Sequence, residues 1–331
     1  ADLSRALWKL AAGASPLREV EPNIFLLNPL AIPAYGNPGV RAFNREFLRW
    51  QIKRAMRRLR FKKAINWVFN PAASVIAGEL GEELVIYYCV DEYTAFTGVD
   101  SKALAELERR LMRRSDLVIV SADRLYQSKA PFNPRTAIVR HGVDYSHFRR
   151  ALDAETVVPK EIAGLPRPVI GFFGLIADWV DVELMASVAE RFSTGSLVAL
   201  GKATTDVSAL ERLPNVHLLG RKPYGALPAY CKGFDVALMP FRVNDLTLNA
   251  NPLKAREYLA AGLQVVSTAI PEVESLTLCR IGRDRESFLY EVERALLDPG
   301  PSVERSEMVR GESWEARLDE IRQYVTALAE D

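Results

Sequence analysis

The chain has 331 residues and a formal net charge of +1, and 49% of its residues are hydrophobic. This length suits two globular domains, each large enough for a core of its own. No apolar run reaches the ~18 residues that a membrane-spanning helix needs, and no signal peptide opens the chain, so we expect a cytoplasmic protein. Three scattered cysteines and three histidines without ligand spacing predict reduced thiols and no structural metal site.

The charge is unevenly distributed. Residues 1–150 hold 24 Lys and Arg against 15 Asp and Glu, whereas the remaining residues hold 19 against 27. Much of this excess lies in residues 45–63, where apolar residues recur at helical spacing and only Glu46 is acidic. A solvated helix face, an anionic membrane surface and nucleic acid all fit such a pattern, and we expect no nucleic-acid partner. The nine basic residues are Arg45, Arg49, Lys53, Arg54, Arg57, Arg58, Arg60, Lys62 and Lys63.

Strand and helix patterns alternate along the chain, which predicts an α/β protein with parallel sheets covered on both faces. In the first half the patterns predict strands at 24–27, 64–69, 84–89, 116–120 and 136–140, and helices at 43–61, 72–80 and 101–114. In the second half they predict strands at 169–173, 197–200, 216–219, 236–239, 264–267 and 278–281, and a final amphipathic helix at 314–329.

A polar segment with three prolines, residues 153–168, separates the two halves and is predicted to be a linker. We therefore expect a first Rossmann-like domain over residues 1–152 and a second over 169–305. Residues 306–331 are expected to form a C-terminal helical segment.

One segment of the second half is typical of a phosphate-binding helix. Asn251 is a good N-cap, Pro252 suits the first helical position, and Gly262 is placed to end the helix before a strand. Lys254 in the first turn adds a charge to a helix start that attracts phosphate. Glu257 shares its face and is placed to accept hydrogen bonds from ribose. The alternative is an exposed ion pair with no ligand.

Two strand ends complete the predicted donor site. Gly174 ends the strand at 169–173, and its lack of a side chain lets the backbone N–H of Leu175 or Ile176 approach a phosphate. Gly220 ends another strand at the same sheet edge, where Arg221 is placed to stack on or bond a base. A plain turn and a surface arginine are the alternatives. The chain contains neither GxGxxG nor GxxxxGK[ST], so a dinucleotide fingerprint and a P-loop are unsupported.

The segment Asn251-Pro252-Leu253-Lys254-Ala255-Arg256-Glu257-Tyr258-Leu259-Ala260-Ala261-Gly262 resembles the donor-site helix of GT-B glycosyltransferases, particularly bacterial family 4-like enzymes of surface-polysaccharide type. Other likenesses occur in the same order along the chain. They are His141-Gly142-Val143-Asp144, Gly171-Phe172-Phe173-Gly174, Leu219-Gly220-Arg221, Phe234-Asp235-Val236-Ala237 and Ser313-Trp314-Glu315-Ala316-Arg317.

The resemblance implies two Rossmann-like domains whose parallel sheets face each other across a cleft, with a C-terminal helix that crosses back to the first domain. It implies transfer of a sugar from a nucleoside diphosphate to a hydroxyl of a glycan or lipid-linked glycan. The reaction would be retaining and metal-independent, with the nucleotide sugar as co-substrate and no other cofactor. Because such acceptors lie at the cytoplasmic leaflet, the resemblance favours the membrane interpretation of residues 45–63.

On the acceptor side, Asp91 and Glu92 follow a strand at its carboxyl end, and His141 lies in the first of the matching motifs. Asp91 is the candidate to orient or deprotonate the acceptor hydroxyl. A turn or N-cap carboxylate is the alternative.

The chain departs from the family pattern at two places. The family often carries two glutamates eight positions apart, and here Glu257 matches the second whereas Asn249 stands at the first. The chain also begins with Ala1-Asp2-Leu3-Ser4 in a helical pattern, so we expect the usual opening strand and glycine loop to be missing. These departures keep two alternatives open: a GT-B binding or scaffold protein without activity, and a sugar-nucleotide epimerase of similar fold.

Overall fold

The computed structural model describes residues 17–32 and 38–330, so the expected helical opening at Ala1-Asp2-Leu3-Ser4 lies outside the described residues. The chain forms two compact units. The first comprises Ala1–Cys89, Thr97–Ile119 and Lys129–Ala137, and the second comprises Val90–Phe96, Val120–Ser128 and Ile138–Asp331. The segments Val90–Phe96 and Val120–Ser128 therefore belong to the second unit, although the residues before them belong to the first.

The first half of the chain supplies a hairpin and a four-stranded sheet. The hairpin strands β1 and β2 are antiparallel, and the larger sheet has the order β3-β4-β5-β6, in which β3 and β4 are parallel. The elements are β1 (Leu17–Glu21), β2 (Ile24–Leu27), α1 (Pro38–Arg58), β3 (Ile65–Val68), β4 (Leu84–Cys89), α2 (Ser101–Arg114), β5 (Leu117–Val120), α3 (Asp123–Lys129) and β6 (Thr136–Ile138).

The core of the first unit contains a charged pair. β4 and β5 are apolar and buried, as expected for strands covered on both faces. Glu108 of α2 accepts hydrogen bonds from Tyr87 Oη at 2.7 Å and from Lys129 Nζ at 2.9 Å, and all three residues are buried. Each charge thus has a partner, without which its burial would be strongly unfavourable.

Two predictions for this half need correction. The strand at 24–27 is present as predicted, but within the described residues it pairs with β1 in an antiparallel hairpin and not in a parallel sheet. The helix expected at 72–80 is a short 3₁₀ turn, Pro71–Val75. There the carboxylate of Glu82 accepts hydrogen bonds from the backbone N–H groups of Gly78 and Leu80, both at 2.7 Å. These bonds replace the helical ones that the pattern led us to expect.

The second half of the chain alternates strands with helices. Its elements are α4 (Tyr145–Arg149), α5 (Lys160–Ala163), β7 (Val169–Phe173), α6 (Val182–Arg191), β8 (Ser196–Leu200), α7 (Ser208–Glu211), β9 (Val216–Gly220), α8 (Leu227–Gly233), β10 (Val236–Met239), α9 (Asp245–Leu248), α10 (Leu253–Ala260), β11 (Val265–Thr268), α11 (Pro271–Glu274), β12 (Arg280–Gly282), α12 (Arg285–Ala295), α13 (Val303–Glu307) and α14 (Trp314–Glu330). All six strands predicted in this half are present, with small shifts at some ends.

These six strands form one parallel sheet of order β12-β11-β10-β7-β8-β9. β7, β8, β10 and β11 are buried along their whole length. From β7 the chain builds outward through β8 and β9, and then returns to place β10 on the other side of β7. The strand order therefore reverses between β7 and β10, and in open α/β sheets ligands bind outside the carboxyl ends of the strands at such a reversal.

Within the described residues, no helix is long and apolar enough to cross a membrane.

Candidate functional site

The strand-order reversal brings together two segments that the sequence pointed to. Gly174 directly follows β7, and the loop and helix α10 follow β10. A Cβ built on Gly174 would lie 3.3 Å from Lys254 Cε, so the side chain of Lys254 lies directly against this glycine. The predicted neighbours Gly174 and Lys254 are thus in contact at the edge of the sheet.

The backbone at Gly174 is also tightly packed from the other side. Its φ is +147°, and a Cβ on Gly201 would lie only 1.7 Å from the carbonyl oxygen of Gly174. A side chain at Gly201 would push apart the ends of β7 and β8, whereas one at Gly174 would press on Lys254. Glycine at position 174 therefore lets the Lys254 side chain lie against the backbone.

Lys254 and Glu257 share one face of α10, as predicted. Lys254 Nζ lies 3.1 Å from Glu257 Oε2 and 5.4 Å from the centre of the Phe173 ring. Glu257 Oε2 is buried and makes no hydrogen bond with the described residues. The Lys254 ammonium compensates the charge of this oxygen, which can still accept a hydrogen bond from a ligand. This face offers one cation for an anionic group and one acceptor for hydroxyl groups.

The helix start differs from the prediction. Helix α10 begins at Leu253 with Pro252 at the N-cap position, and no side chain caps its first turn. Asn251 is therefore not the cap. Because the first N–H groups lack a side-chain acceptor, they are available to an anion beside Lys254.

Asn251 has a different role, since its buried side chain joins three parts of the second unit. Its Nδ2 donates to the backbone oxygen of Ser121 at 2.6 Å, and its Oδ1 accepts from Arg256 Nη1 at 2.7 Å. Arg256 is 1% exposed and also donates through Nε to Glu312 at 3.1 Å. These bonds fix the turn before Pro252 and, with it, the start of the helix that carries Lys254.

A second group of charges continues this network. Glu272, at 3% exposure, accepts hydrogen bonds from Arg140 Nε and from the backbone N–H of Asp123, both at 2.8 Å. Arg140 also donates to the Asp123 carboxylate at 2.7 Å. Asn251 Nδ2 lies 3.4 Å from Glu272 Oε2. The segments after β5 and β6 are thereby tied to the segment before α10.

His141 belongs to this cluster and not to an isolated position. Its Nδ1 lies 2.8 Å from the backbone oxygen of Asn251, so Nδ1 carries the proton and donates. Burial lowers the pKa of His141, because it disfavours the charged ring. The imidazole is therefore neutral at pH 7, and its other nitrogen is a potential acceptor.

The two carboxylates after β4 differ from each other. Burial raises the pKa of Asp91 to about 6, which brings it close to the range of a general base. Glu92 instead caps the turn Tyr93–Ala95, where its Oε1 accepts from Thr94 Oγ1 at 2.6 Å. The turn packs against α9, within the second unit. The cap interpretation thus describes Glu92.

The remaining predicted residues lie around the same sheet edge without forming a common cluster. Asn249 ends α9 and donates through Nδ2 to the backbone oxygen of Asp245 at 2.6 Å. Leu175 is 43% exposed, and Leu253 is half-buried in the first turn of α10. Gly220 adopts a φ of +66° at the end of β9, and Arg221 after it is exposed.

Sequence reasoning missed several residues next to this site. Arg140, Arg256 and Glu272 form the buried network, and His147 and Tyr224 stack on each other near Glu257. An arginine in the buried face of a helix pattern was the only available signal for Arg256. The others are far apart in the sequence, and only the fold brings them together.

Among known proteins, the chain is similar to the "Putative teichuronic acid biosynthesis glycosyltransferase TuaH" of Bacillus subtilis. The two are 26% identical over 285 residues, which cover 78% of this chain and 70% of that protein. No family model matches the chain.

The fold is similar to solved glycosyltransferase structures. Sucrose-phosphate synthase from Thermosynechococcus elongatus superposes with a TM-score of 0.70 at 15% identity, covering 99% of this chain and 92% of that one. Anabaena HepE in complex with UDP gives 0.63 at 11% identity, covering 88% and 84%. Trehalose 6-phosphate synthase from Burkholderia multivorans gives 0.63 at 16% identity, covering 88% and 76%.

These likenesses agree with the parallel sheets of the chain. The chain has the GT-B fold, which is the fold of these glycosyltransferases.

Proposed function

We propose that this protein transfers a sugar from a nucleoside diphosphate to a hydroxyl of a glycan or lipid-linked glycan. The observation that carries the proposal is the contact of Lys254 with Gly174 at the strand-order reversal, next to the buried Glu257 Oε2, which is paired with Lys254 but makes no hydrogen bond with the described residues. A diphosphate satisfies the cation and the open helix start, and ribose hydroxyls satisfy the carboxylate oxygen. The UDP complex of the similar Anabaena structure supports a nucleotide as the donor carrier.

In this proposal the chemistry depends on the leaving group. As the bond from the sugar to the diphosphate breaks, negative charge develops on the β-phosphate. Lys254, the N–H groups at the start of α10 and the backbone after Gly174 are placed to stabilise that charge. We propose a metal-independent reaction for this reason, and a retaining outcome from the family resemblance. NMR of the product would give its anomeric configuration relative to the donor.

We assign the donor to residues 169–305 and the acceptor to residues 1–152. Asp91 follows β4 and has a raised pKa, so it is the residue that we propose to orient or deprotonate the acceptor hydroxyl. The side chains around His141 lie after β6 and complete the acceptor side. The name of the Bacillus relative supports a surface polysaccharide as the product class.

The basic residues of segment 45–63 are a second part of the proposal. Arg45 and Arg49 pair with Glu79, and Lys63 pairs with Glu83. Within the described ranges, the other six basic residues have no acidic partner, and Trp50 and Phe61 next to them are more than half exposed. We propose that this part contacts anionic lipid at the cytoplasmic face of the membrane, which brings the site to a lipid-linked acceptor. The six residues are Lys53, Arg54, Arg57, Arg58, Arg60 and Lys62.

The central experiment measures nucleotide release from a panel of sugar nucleotides, with and without candidate acceptors. We expect acceptor-dependent release of the nucleoside diphosphate from one donor of the panel. In parallel, Lys254→Ala should weaken the binding of that nucleoside diphosphate by ~1.5–3 kcal/mol, because it removes a charge-assisted contact, and should leave the nucleoside unchanged. Calorimetry on both ligands measures this difference.

Other outcomes identify other functions. Binding of sugar nucleotides without turnover would indicate a binding or scaffold protein. Conversion of one sugar nucleotide into its epimer, without release, would indicate an epimerase. Equal losses for nucleoside and nucleoside diphosphate in Lys254→Ala would remove the phosphate role of this lysine.

A further inference from the structure

An exposed aromatic stack lies next to the proposed donor site. Tyr224 is in the short 3₁₀ turn Tyr224–Ala226, which follows β9. Its ring is stacked on the ring of His147, with 4.2 Å between the centroids and an angle of 8° between the planes. Tyr224 is 51% exposed although its ring is packed on this side. A large aromatic side chain is thus presented to solvent in a defined orientation.

The orientation of the stack is fixed by hydrogen bonds of the His147 ring. His147 Nε2 lies 3.0 Å from the backbone oxygen of Tyr224, and His147 Nδ1 lies 2.5 Å from Arg150 Nη2. Since the arginine can only donate, Nδ1 is the acceptor and Nε2 carries the single proton. The imidazole is therefore neutral, in agreement with burial, which lowers the pKa of His147. Burial, together with the charges of Asp144 and Glu257, raises the pKa of Tyr224 to about 12.

Aromatic contacts connect this stack to Lys254. The edge of Phe148 contacts Tyr224, with centroids 5.7 Å apart, and Phe148 lies parallel to Phe173 at 5.9 Å. Lys254 Nζ is 5.4 Å from the centre of that same Phe173 ring. Lys254 is thus connected to the exposed Tyr224 by contacts through Phe173 and Phe148.

Glu257 interacts both with Lys254 and with the aromatic stack. Its side chain is in contact with Lys254, and its charge also acts on both His147 and Tyr224. A cation, a carboxylate and an exposed aromatic ring therefore occur together. This set matches the phosphate, the ribose and the base of one nucleotide.

We propose that Tyr224, held by His147, is the platform on which the nucleobase of the donor stacks. The inference rests on the proposed function and adds to it the residue that holds the base. It also differs from the sequence-based hypothesis, in which Arg221 stacks on the base. Arg221 is exposed and no contact orients it within the described residues, whereas Tyr224 is oriented before any ligand arrives. Preorganised rings lose little entropy on binding.

Stacking has a recognisable signature. Because every base has a π-face, a tyrosine platform adds affinity to all nucleotides and none to a ligand without a base. Loss of one base–aromatic stack weakens binding by about 5- to 150-fold. Inorganic pyrophosphate, which reaches only the Lys254 end, should be unaffected.

Calorimetric titrations with UDP, ADP, GDP and pyrophosphate test the proposal on the wild-type protein and three variants. Tyr224→Leu removes the ring, Tyr224→Phe keeps the ring but loses the hydroxyl, and Tyr290→Leu is the control, since Tyr290 is 55% exposed on α12. We expect Tyr224→Leu to bind the preferred nucleotide about 5- to 150-fold more weakly and pyrophosphate within twofold of wild type. Tyr224→Phe and Tyr290→Leu should bind both within about threefold of wild type.

Three results would overturn the inference. If Tyr224→Leu binds the nucleotide as wild type does, the base lies elsewhere. If it loses nucleotide and pyrophosphate equally while its thermal melting is unchanged, Tyr224 acts on the phosphate end. If the wild-type protein binds none of the four ligands, the proposed function itself fails, and this inference fails with it.

Discussion

The buried arginine of α10 and the exposed arginines of α1 show how different the roles of one residue type are in this protein. Arg256 is 1% exposed and is bonded to Asn251 and Glu312. Arg57 is exposed, and its one hydrogen bond is a long contact of 3.4 Å to the backbone of Lys53. A buried charge destabilises the folded protein unless it has partners. An exposed charge adds little stability and remains available to a ligand.

The buried charges thus serve the structure, whereas the exposed charges are available for binding. In the network around Asn251, the charges satisfy one another and hold the donor helix in place. In residues 45–63, six of nine cations have no acidic partner within the described ranges, so their charge acts on whatever approaches the surface. Partly buried Asp91 is intermediate, because burial has shifted its pKa without preventing its ionisation.

The largest effect is expected from Arg256→Met. The change leaves Asn251 Oδ1 without its donor and Glu312 with Arg317 as the partner that remains, and removing one side of a buried pair costs up to about 3–5 kcal/mol. Urea unfolding of both proteins measures the difference in the free energy of unfolding. As the control, Arg212→Met alters an exposed arginine and should stay within ~0.5 kcal/mol of wild type. A loss below ~1 kcal/mol in Arg256→Met would mean that the network is not essential to the fold.

Asp91→Asn should have the next largest effect, on transfer and not on donor binding. Removal of a general base lowers the rate by at least about 100-fold. Donor affinity should remain within about twofold, since in this proposal the donor is held by other residues. Rate measurements at saturating donor, with calorimetry for binding, check both. A large loss of donor affinity would place Asp91 in the donor site or in the structure.

The pH dependence gives an independent check on Asp91. Its pKa is raised to about 6, so the ionised base is lost as the pH falls through about 6, and wild-type transfer should fall there. The same carboxyl binds its proton more tightly in the folded state, so its contribution to stability decreases as the pH rises from about 4 to 6. Activity and stability should therefore change in opposite directions. A wild-type rate that is flat between pH 5 and 8 would contradict the base role.

The smallest effect is expected from a single cation of α1. Arg57→Gln should weaken binding to anionic vesicles by about 1 kcal/mol, with no effect on neutral vesicles. Binding should also weaken as salt shortens the Debye length below ~10 Å. Sedimentation with vesicles measures this, with Arg322→Gln as the control because Arg322 is exposed on α14. Equal, salt-insensitive sedimentation with both vesicle types would favour an ordinary solvated helix face.

The sequence alone predicted those features that depend on local patterns. The apolar run Val236–Met239 and the helix Ser101–Arg114 occur at the predicted positions, because continuous burial and an N-cap such as Asp100 are encoded within a few residues. The pair Lys254 and Glu257 could be predicted for the same reason, since a spacing of three places both on one face of any helix.

The tertiary structure decided which hydrogen-bond partner each polar group has when several are possible. Asn251 has the properties of an N-cap, yet Ser121 and Arg256 take its side chain, and no local pattern contains that information. The helix expected at 72–80 is lost to a local competitor instead, because Glu82 binds the backbone N–H groups of Gly78 and Leu80, four and two positions away. The stack of His147 on Tyr224 joins residues 77 positions apart. Contacts between residues far apart in the sequence carry the entropic cost of closing a long loop. The sheet meets this cost when it brings the strand ends together, so a local sequence pattern does not reveal such contacts.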